Sequence, residues 1–400
     1  MESRYLACYR ARHDGSLIGG SFHERRRLAG WNPEGIGPVS TLPEVPGRKR
    51  DARNSPAGIL VSPVMNRLLS IFAMAALAFA AGCGKSSHVP AGPGGSGGKK
   101  LLIAFMPKSK GNAYFLSCRQ GADAAAKELG IEMIFDGPTD PDPAKQNEII
   151  EQWINLGVDA IAVACENRDG ISTALRKARA KGIKVVTYDA DAQPDAREFF
   201  VNQATVEGIG NALTDEAARL LGGAGDYAII SASLTAGNMI AWQQAIEKRN
   251  AEKHPNLKRV ALRPCDDLKD KAQSEATALL SANPNLKLIM AICSPAVPGA
   301  AEAIKQAGKA DQVKLIGLGL PNENKRYVKD GVTDTVILWK TLDLGYLTIH
   351  AATALAKGEL KPGATSFKGG KLGEFKIAGD NILLGEPFKF TKENIEQFDF

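Results

Sequence analysis

The chain has 400 residues and a formal charge of +6 at pH 7. Much of that excess lies in "RRR" at Arg25–Arg27 and "RKR" at Arg48–Arg50, so it does not argue for an acidic partner. The 6 cysteines are scattered without metal-ligand spacing, which argues against a zinc-cluster protein, and no disulfide can be assigned among Cys118, Cys165, Cys265 and Cys293.

Residues 1–64 mix these basic runs with scattered Pro and Gly and show no sustained helical or strand period. This segment is expected to be disordered or untranslated, with Met65 as the true start. The apolar run from Leu68 to Ala81 falls short of the roughly 20 residues that a membrane-crossing helix needs. It has the length of a secretory signal core, preceded by Arg67 and followed by small residues. "AAGC" at Ala80–Cys83 resembles a bacterial lipobox, which implies cleavage before Cys83 and lipidation of that residue; an ordinary signal peptide with an incidental cysteine is the alternative. Gly84, rather than Asp, favours delivery to the outer membrane. Residues 84–98 have the Gly/Ser/Pro composition of a flexible tether.

From Lys99 onward, Val- and Ile-rich runs alternate with helical patterns: "KLLIAFM", "NAYFLSCRQGADAAAKELG", "IEMIF", "AKQNEIIEQWINLG", "DAIAVAC", "GISTALRKARAKG", "IKVVTYD". Gly130, Gly157 and Gly182 stand where helices end. After "FFVNQAT" the rhythm repeats through "DYAIIS", "NMIAWQQAIEKRNAEK", "LKRVALR", "KDKAQSEATALLSA", "LKLIMAIC", "AVPGAAEAIKQAG" and "VKLIGLGL". The fold class is therefore α/β, with two similar doubly wound parallel-sheet lobes.

Ligands of such sheets bind beyond the carboxyl ends of the strands, which directs attention to the residues just past each strand. Lys108, Asn112, Tyr114 and Phe115 come after the first strand; Asp189 and Asp191 come after the fourth. In the second series come Asn238, Met239 and Trp242, then Ser294 in "CSPAVPG", then Trp339, Lys340 and Asp343. Aromatic rings, carboxylates, an amide and an ammonium suit a carbohydrate, whose C–H faces stack on rings and whose hydroxyls take charged partners. Each residue also has a plainer explanation: Asp191 as a turn former, Asp343 as a helix cap, Tyr114 and Phe115 as core.

No phosphate loop, HExxH or GxSxG is present, and His88, His254 and His350 have no triad partner or metal-ligand spacing. An enzyme is not expected, nor a cofactor, a metal or a nucleic-acid partner.

"FMPKSKGNAYF", "AAKELGIEMIFDGPTDPDPAKQ", "GVDAIAVACENRDGI", "GIKVVTYDAD", "FFVNQAT", "SASLTAGNMIAW" and "FTKENIEQFDF" together resemble the type I periplasmic sugar-binding proteins of ABC importers, nearest the rhamnose-binding and autoinducer-2-binding group. The resemblance implies a monomeric, non-enzymatic periplasmic receptor delivering a sugar to a membrane permease. It also implies lobes of 99–202 with 340–375 and 203–339 with 376–400. Crossovers are then expected near Asn202–Thr205, Trp339 and Glu374–Ile377. Lys108 and Asp189 match the family's ligand lysine and aspartate. The Asp-Gln pair of autoinducer-2 receptors falls on Asn238 and Met239, and their Pro-x-Ala contact falls on Ile292 and Ser294. Lost polar partners weaken recognition of hydroxyls, so a deoxyhexose or other monosaccharide ranks above autoinducer-2. A signalling or chemotaxis receptor is the alternative to import.

Overall fold

Residues 99–400, which the computed structural model describes, build two sheets whose strands alternate with helices. The chain runs β1 (Leu102–Met106), α1 (Ala113–Leu129), β2 (Glu132–Phe135), α2 (Pro143–Leu156), β3 (Ala160–Val163), α3 (Arg168–Ala180), β4 (Lys184–Tyr188) and β5 (Phe199–Asn202). It continues through α4 (Val206–Leu221), β6 (Gly225–Ser231), α5 (Gly237–Lys253), β7 (Leu257–Pro264), α6 (Lys269–Ala282), β8 (Leu286–Ala291), α7 (Ala296–Gln306), β9 (Lys314–Leu318), α8 (Pro321–Lys329) and β10 (Thr335–Leu338). The end of the chain supplies α9 (Thr341–Ala356), β11 (Ser366–Lys368), β12 (Glu374–Ala378), β13 (Asn381–Leu383) and β14 (Phe388–Phe390). The expected signal segment, Cys83 and the tether lie outside the described residues.

One sheet has the order β11-β12-β13-β5-β4-β3-β1-β2, the other β14-β10-β9-β8-β6-β7. Their central strands are parallel, as in β3 beside β4 and β8 beside β9. Helices cover both faces, so β3 reads AIAV with every residue buried. The α/β assignment and the two-sheet architecture rest directly on that pattern.

Local chemistry sets the boundaries. Asn112 caps α1 by accepting the Tyr114 N–H, and Asp142 caps α2 ahead of Pro143 at its first turn, each cap contributing about 1 kcal/mol. Gly130 and Gly157 close α1 and α2 in the left-handed conformation. Gly121 of α1 and Gly345 of α9 have a different purpose: a Cβ on either would come within 1.8 Å of a carbonyl oxygen of the facing helix. These two helices therefore cross with their backbones nearly touching.

The chain passes between sheets three times. Two passages lie between β5 and α4 and between Trp339 and α9. The third does not lie near Glu374–Ile377. Residues 374–378 and 381–383 remain in the eight-stranded sheet, where β13 pairs in parallel with β5 (Ile382 opposite Val201). The crossover thus lies between Leu383 and Phe388, after which β14 joins β10 in the other sheet. The reason is an unfilled edge: β5 leaves a row of backbone groups open, and β12 and β13 cover it before the chain leaves.

Candidate ligand-binding site

The strand ends of the two sheets face each other across a cleft, and Lys108, just past β1, is buried there at 1% exposure. Its Nζ lies 3.9 Å from Glu166 Oε2 and donates to Asn238 Oδ1 at 3.1 Å. Burial opposes the charge on this ammonium, but Glu166, Asp189 and Asp267 together hold its pKa above the usual lysine value. The loops around it are tied by Gln146 of α2. That side chain donates to Pro107 O (3.1 Å) and Ala164 O (2.8 Å) and accepts from Glu166 N (3.0 Å).

Asp189 stands just past β4 with φ of 59°, and its carbonyl accepts from Gln203 Nε2 at 3.0 Å. Burial raises its pKa, with Lys108 and the Tyr114 hydroxyl acting against the rise. Asp267, between β7 and α6, also has a positive φ, 56°, and burial pushes its carboxyl up to about 6. Among the described residues the only other non-glycine with positive φ is Asp266. Such conformations cost on the order of 1 kcal/mol each; Asp189 and Asp267 both line the cavity, whereas Asp266 turns away to pair with Lys271.

The cleft between these groups is partly open, and about 360 Å³ of space, open solvent included, lies among its lining residues. Tyr114 and Phe115 meet edge to face with ring centroids 5.0 Å apart. The Tyr114 hydroxyl donates to Asp189 Oδ1 (2.9 Å) and accepts from Trp339 Nε1 (2.8 Å). Trp242 lies against Trp339, centroids 6.0 Å apart. Met239, Ile292, Cys293, Ser294, Leu318 and Leu338 complete the wall. Several contacts cross the cleft: Lys108 to Asn238, Ser294 Oγ to Asn112 Oδ1 at 3.4 Å, and Ser233 Oγ to Glu166 Oε1 at 2.7 Å.

Of the residues singled out in the sequence, Lys108, Asn112, Tyr114, Phe115, Asp189, Met239, Ser294 and Trp339 come together around this cavity. Two do not line it. Asp191 turns away to hold Arg197 with two hydrogen bonds at 2.8 and 2.7 Å and to accept from Ala192 N, so it is the turn former of the plainer reading. Asn238 stands behind the wall as the partner of Lys108. Asp343 sits in the first turn of α9, where a carboxylate suits the helix dipole. Asp267 and Glu166 are not singled out by the sequence reading. Both stand just past a parallel strand, so the strand-end rule that finds Asp189 reaches them too. The 4 described cysteines are free and buried.

This layout, with a polar cluster and aromatic rings between two α/β lobes, is matched by a known family. The description "Periplasmic binding protein domain" fits residues 103–360. The chain belongs to the periplasmic binding protein family. Among curated relatives, the D-ribose/D-allose-binding protein of Pseudomonas aeruginosa is 31% identical over 242 residues, 58% of this chain and 75% of that protein. Among solved structures, an ABC transporter solute-binding protein from Clostridium phytofermentans with bound L-rhamnose is 32% identical, with a TM-score of 0.72, covering 75% of this chain and 98% of that one. LsrB from Clostridium saccharobutylicum in complex with AI-2 is 28% identical, also at a TM-score of 0.72, covering 75% and 100%. This periplasmic binding protein is of the type I sugar-binding class, a non-enzymatic, extracytoplasmic component of ABC importers.

Proposed function

We propose that this periplasmic binding protein captures one monosaccharide, rhamnose or a close relative, between its lobes and hands it to a membrane permease. The observation that carries the reading is the buried Lys108 among Glu166, Asp189 and Asp267, set against a wall of aromatic rings. Lys108 and Asp189 hydrogen-bond ligand hydroxyls, Tyr114 and Phe115 cover a ring face, and Trp339 closes the pocket at the crossover. Ligand favours the closed arrangement because only that arrangement contacts it from both sides. Lipidation at Cys83 tethers the receptor to the membrane surface, two acyl chains being enough for stable anchoring.

A second reading has one observation in its favour, the likeness to LsrB with AI-2 bound. It is weakened by Asn238 and Met239, which stand where that group carries Asp and Gln.

The test is a thermal-shift screen of the purified protein against monosaccharides, including L-rhamnose, and AI-2. A ligand that binds only the native state raises the melting temperature, by an amount that grows with the logarithm of its free concentration above Kd. A concentration-dependent shift with one sugar, lost in Asp189→Ala, supports the receptor reading and names the ligand. A shift with AI-2 alone overturns the ranking in favour of a signal receptor.

A further inference from the structure

Two cysteines meet behind the polar wall of the six-stranded lobe. Cys265 follows β7 and Cys293 follows β8, strands that flank β6 in the sheet, so the chain brings two thiols to the carboxyl end of β6 from opposite sides. Backbone hydrogen bonds hold both approaches: Cys265 N donates to Ser231 O at 2.8 Å, and Ile292 N donates to Ile230 O at 2.8 Å. The two Sγ atoms lie 3.4 Å apart. A disulfide has its sulfurs about 2.05 Å apart, so an approach of about 1.4 Å, shared between two loops, separates this contact from a bond. The extracytoplasmic compartment, where this family works, is one in which disulfides form and persist.

We infer that Cys265 and Cys293 are a disulfide-forming pair, and that their bond ties the β7–α6 loop to the β8–α7 loop across the end of β6. The tie bears on the cavity: Asp267 comes two residues after Cys265, Ser294 directly follows Cys293, and both line it. The inference rests on the sulfur contact and the compartment, and it holds whichever sugar binds. The reaction is thiol–disulfide exchange with an organic disulfide as oxidant. Cys293 lines the cavity whereas Cys265 has no exposed surface, so the Cys293 thiolate attacks the donor's S–S bond and one donor thiolate leaves. The Cys265 thiolate then attacks the Cys293 sulfur of the mixed disulfide, and the second donor thiolate leaves. One S–S bond breaks and one forms, the two cysteine protons end on the two released thiols, and the donor takes up the two electrons. Burial, with hydrogen bonding to Cys265 and Asp267, raises the Cys293 thiol well above its usual pKa, so exchange belongs to the parted lobes or the folding chain rather than the closed cleft.

The experiment incubates the purified full chain with reduced and oxidised glutathione, both as the native protein and during refolding from denaturant. Free thiols are then alkylated with iodoacetamide in denaturant, and the peptides are mapped by mass spectrometry. The expected result is one linked pair, Cys265 with Cys293, which disappears on reduction, with Cys118 and Cys165 alkylated. The oxidised form is expected to melt several degrees above the reduced form, because the bond joins residues 28 apart and restricts the unfolded chain. Cys265→Ser loses both the linked pair and the difference in melting; should that variant fail to fold, the oxidised and reduced parent decide by themselves. Cys265 and Cys293 both alkylated after either treatment, a link to a different cysteine, or an oxidised form that melts no higher than the reduced one overturns the inference.

Discussion

The two lobes meet the same cavity with opposite chemistry. The eight-stranded lobe brings Lys108, Asn112 and Asp189 on the loops after its strands, and two rings from the first turn of α1. The six-stranded lobe brings Met239, Trp242, Ile292, Leu318 and Leu338, with Asp267 and Ser294 as its polar share. The division separates two tasks. In the proposed function, charged groups beside the loops that Gln146 and Gln203 tie define where hydroxyls go, and an apolar surface meets the rest of the sugar.

The most severe way to break this contrast is Lys108→Met. It removes the cation set among the buried Glu166 and Asp189 and the half-buried Asp267, and breaking a buried pair of this kind typically costs about 3–5 kcal/mol. Chemical denaturation is expected to show a loss of that size, with no sugar response left in a thermal-shift assay. A melt as high as the parent's would mean that the carboxyls are not held by this ammonium.

The scaffolds differ as well, and a pair of alanine substitutions sharpens that difference. In the eight-stranded lobe a Cβ at Gly345 would meet the Cys118 carbonyl oxygen at 1.8 Å, so backbone must move. In the other lobe a Cβ at Gly210 would meet the Ala245 methyl at 2.5 Å. Overpacking typically costs about 1–3 kcal/mol, and Gly345→Ala is expected at the top of that range or beyond, with Gly210→Ala below it. Equal losses in denaturant titrations would show that α1 and α9 part as readily as α4 and α5.

The same contrast decides how much is legible in the sequence. Lys108 and Asp189 can be read there because they come after long apolar strands, "KLLIAFM" and "IKVVTYD", whose ends are unmistakable. Asp267 escapes notice because "PCDD" reads as an ordinary turn, and only its left-handed backbone and its place in the cavity wall mark it out. Asp191 stands past the same strand end as Asp189, and only its two hydrogen bonds from Arg197 decide for the turn former over the ligand contact. The late crossover is hidden because Asn381–Leu383 is too short to show a period, and its place in the sheet is decided by the open edge of β5.

The smallest expected effect is a pH dependence contributed by the six-stranded lobe. Asp267 is raised from 3.8 to about 6 by burial. An acid whose folded pKa lies above its unfolded value weakens the fold as pH rises from about 4 to 6, because the unfolded chain ionises first. A sugar hydroxyl donating to the carboxylate reverses the preference and lowers the pKa in the complex. Affinity is therefore expected to fall as pH drops below about 6, by about tenfold for each unit by which ligand lowers that pKa. Calorimetry between about pH 5 and pH 7 on the parent and Asp267→Asn checks this, and a slope that survives the substitution would assign the proton elsewhere.

The contact between Trp242 and Trp339 has an optical consequence. The chain has 4 tryptophans, and these two form one wall of the cavity, one on α5 and the other where the chain passes between the sheets. The Trp339 indole N–H is already engaged by the Tyr114 hydroxyl of the opposite lobe. Any molecule entering the cleft, and any parting of the lobes, alters the polarity and hydrogen bonding around these indoles. The receptor thus carries its own gauge of occupancy, readable as ultraviolet emission without a label.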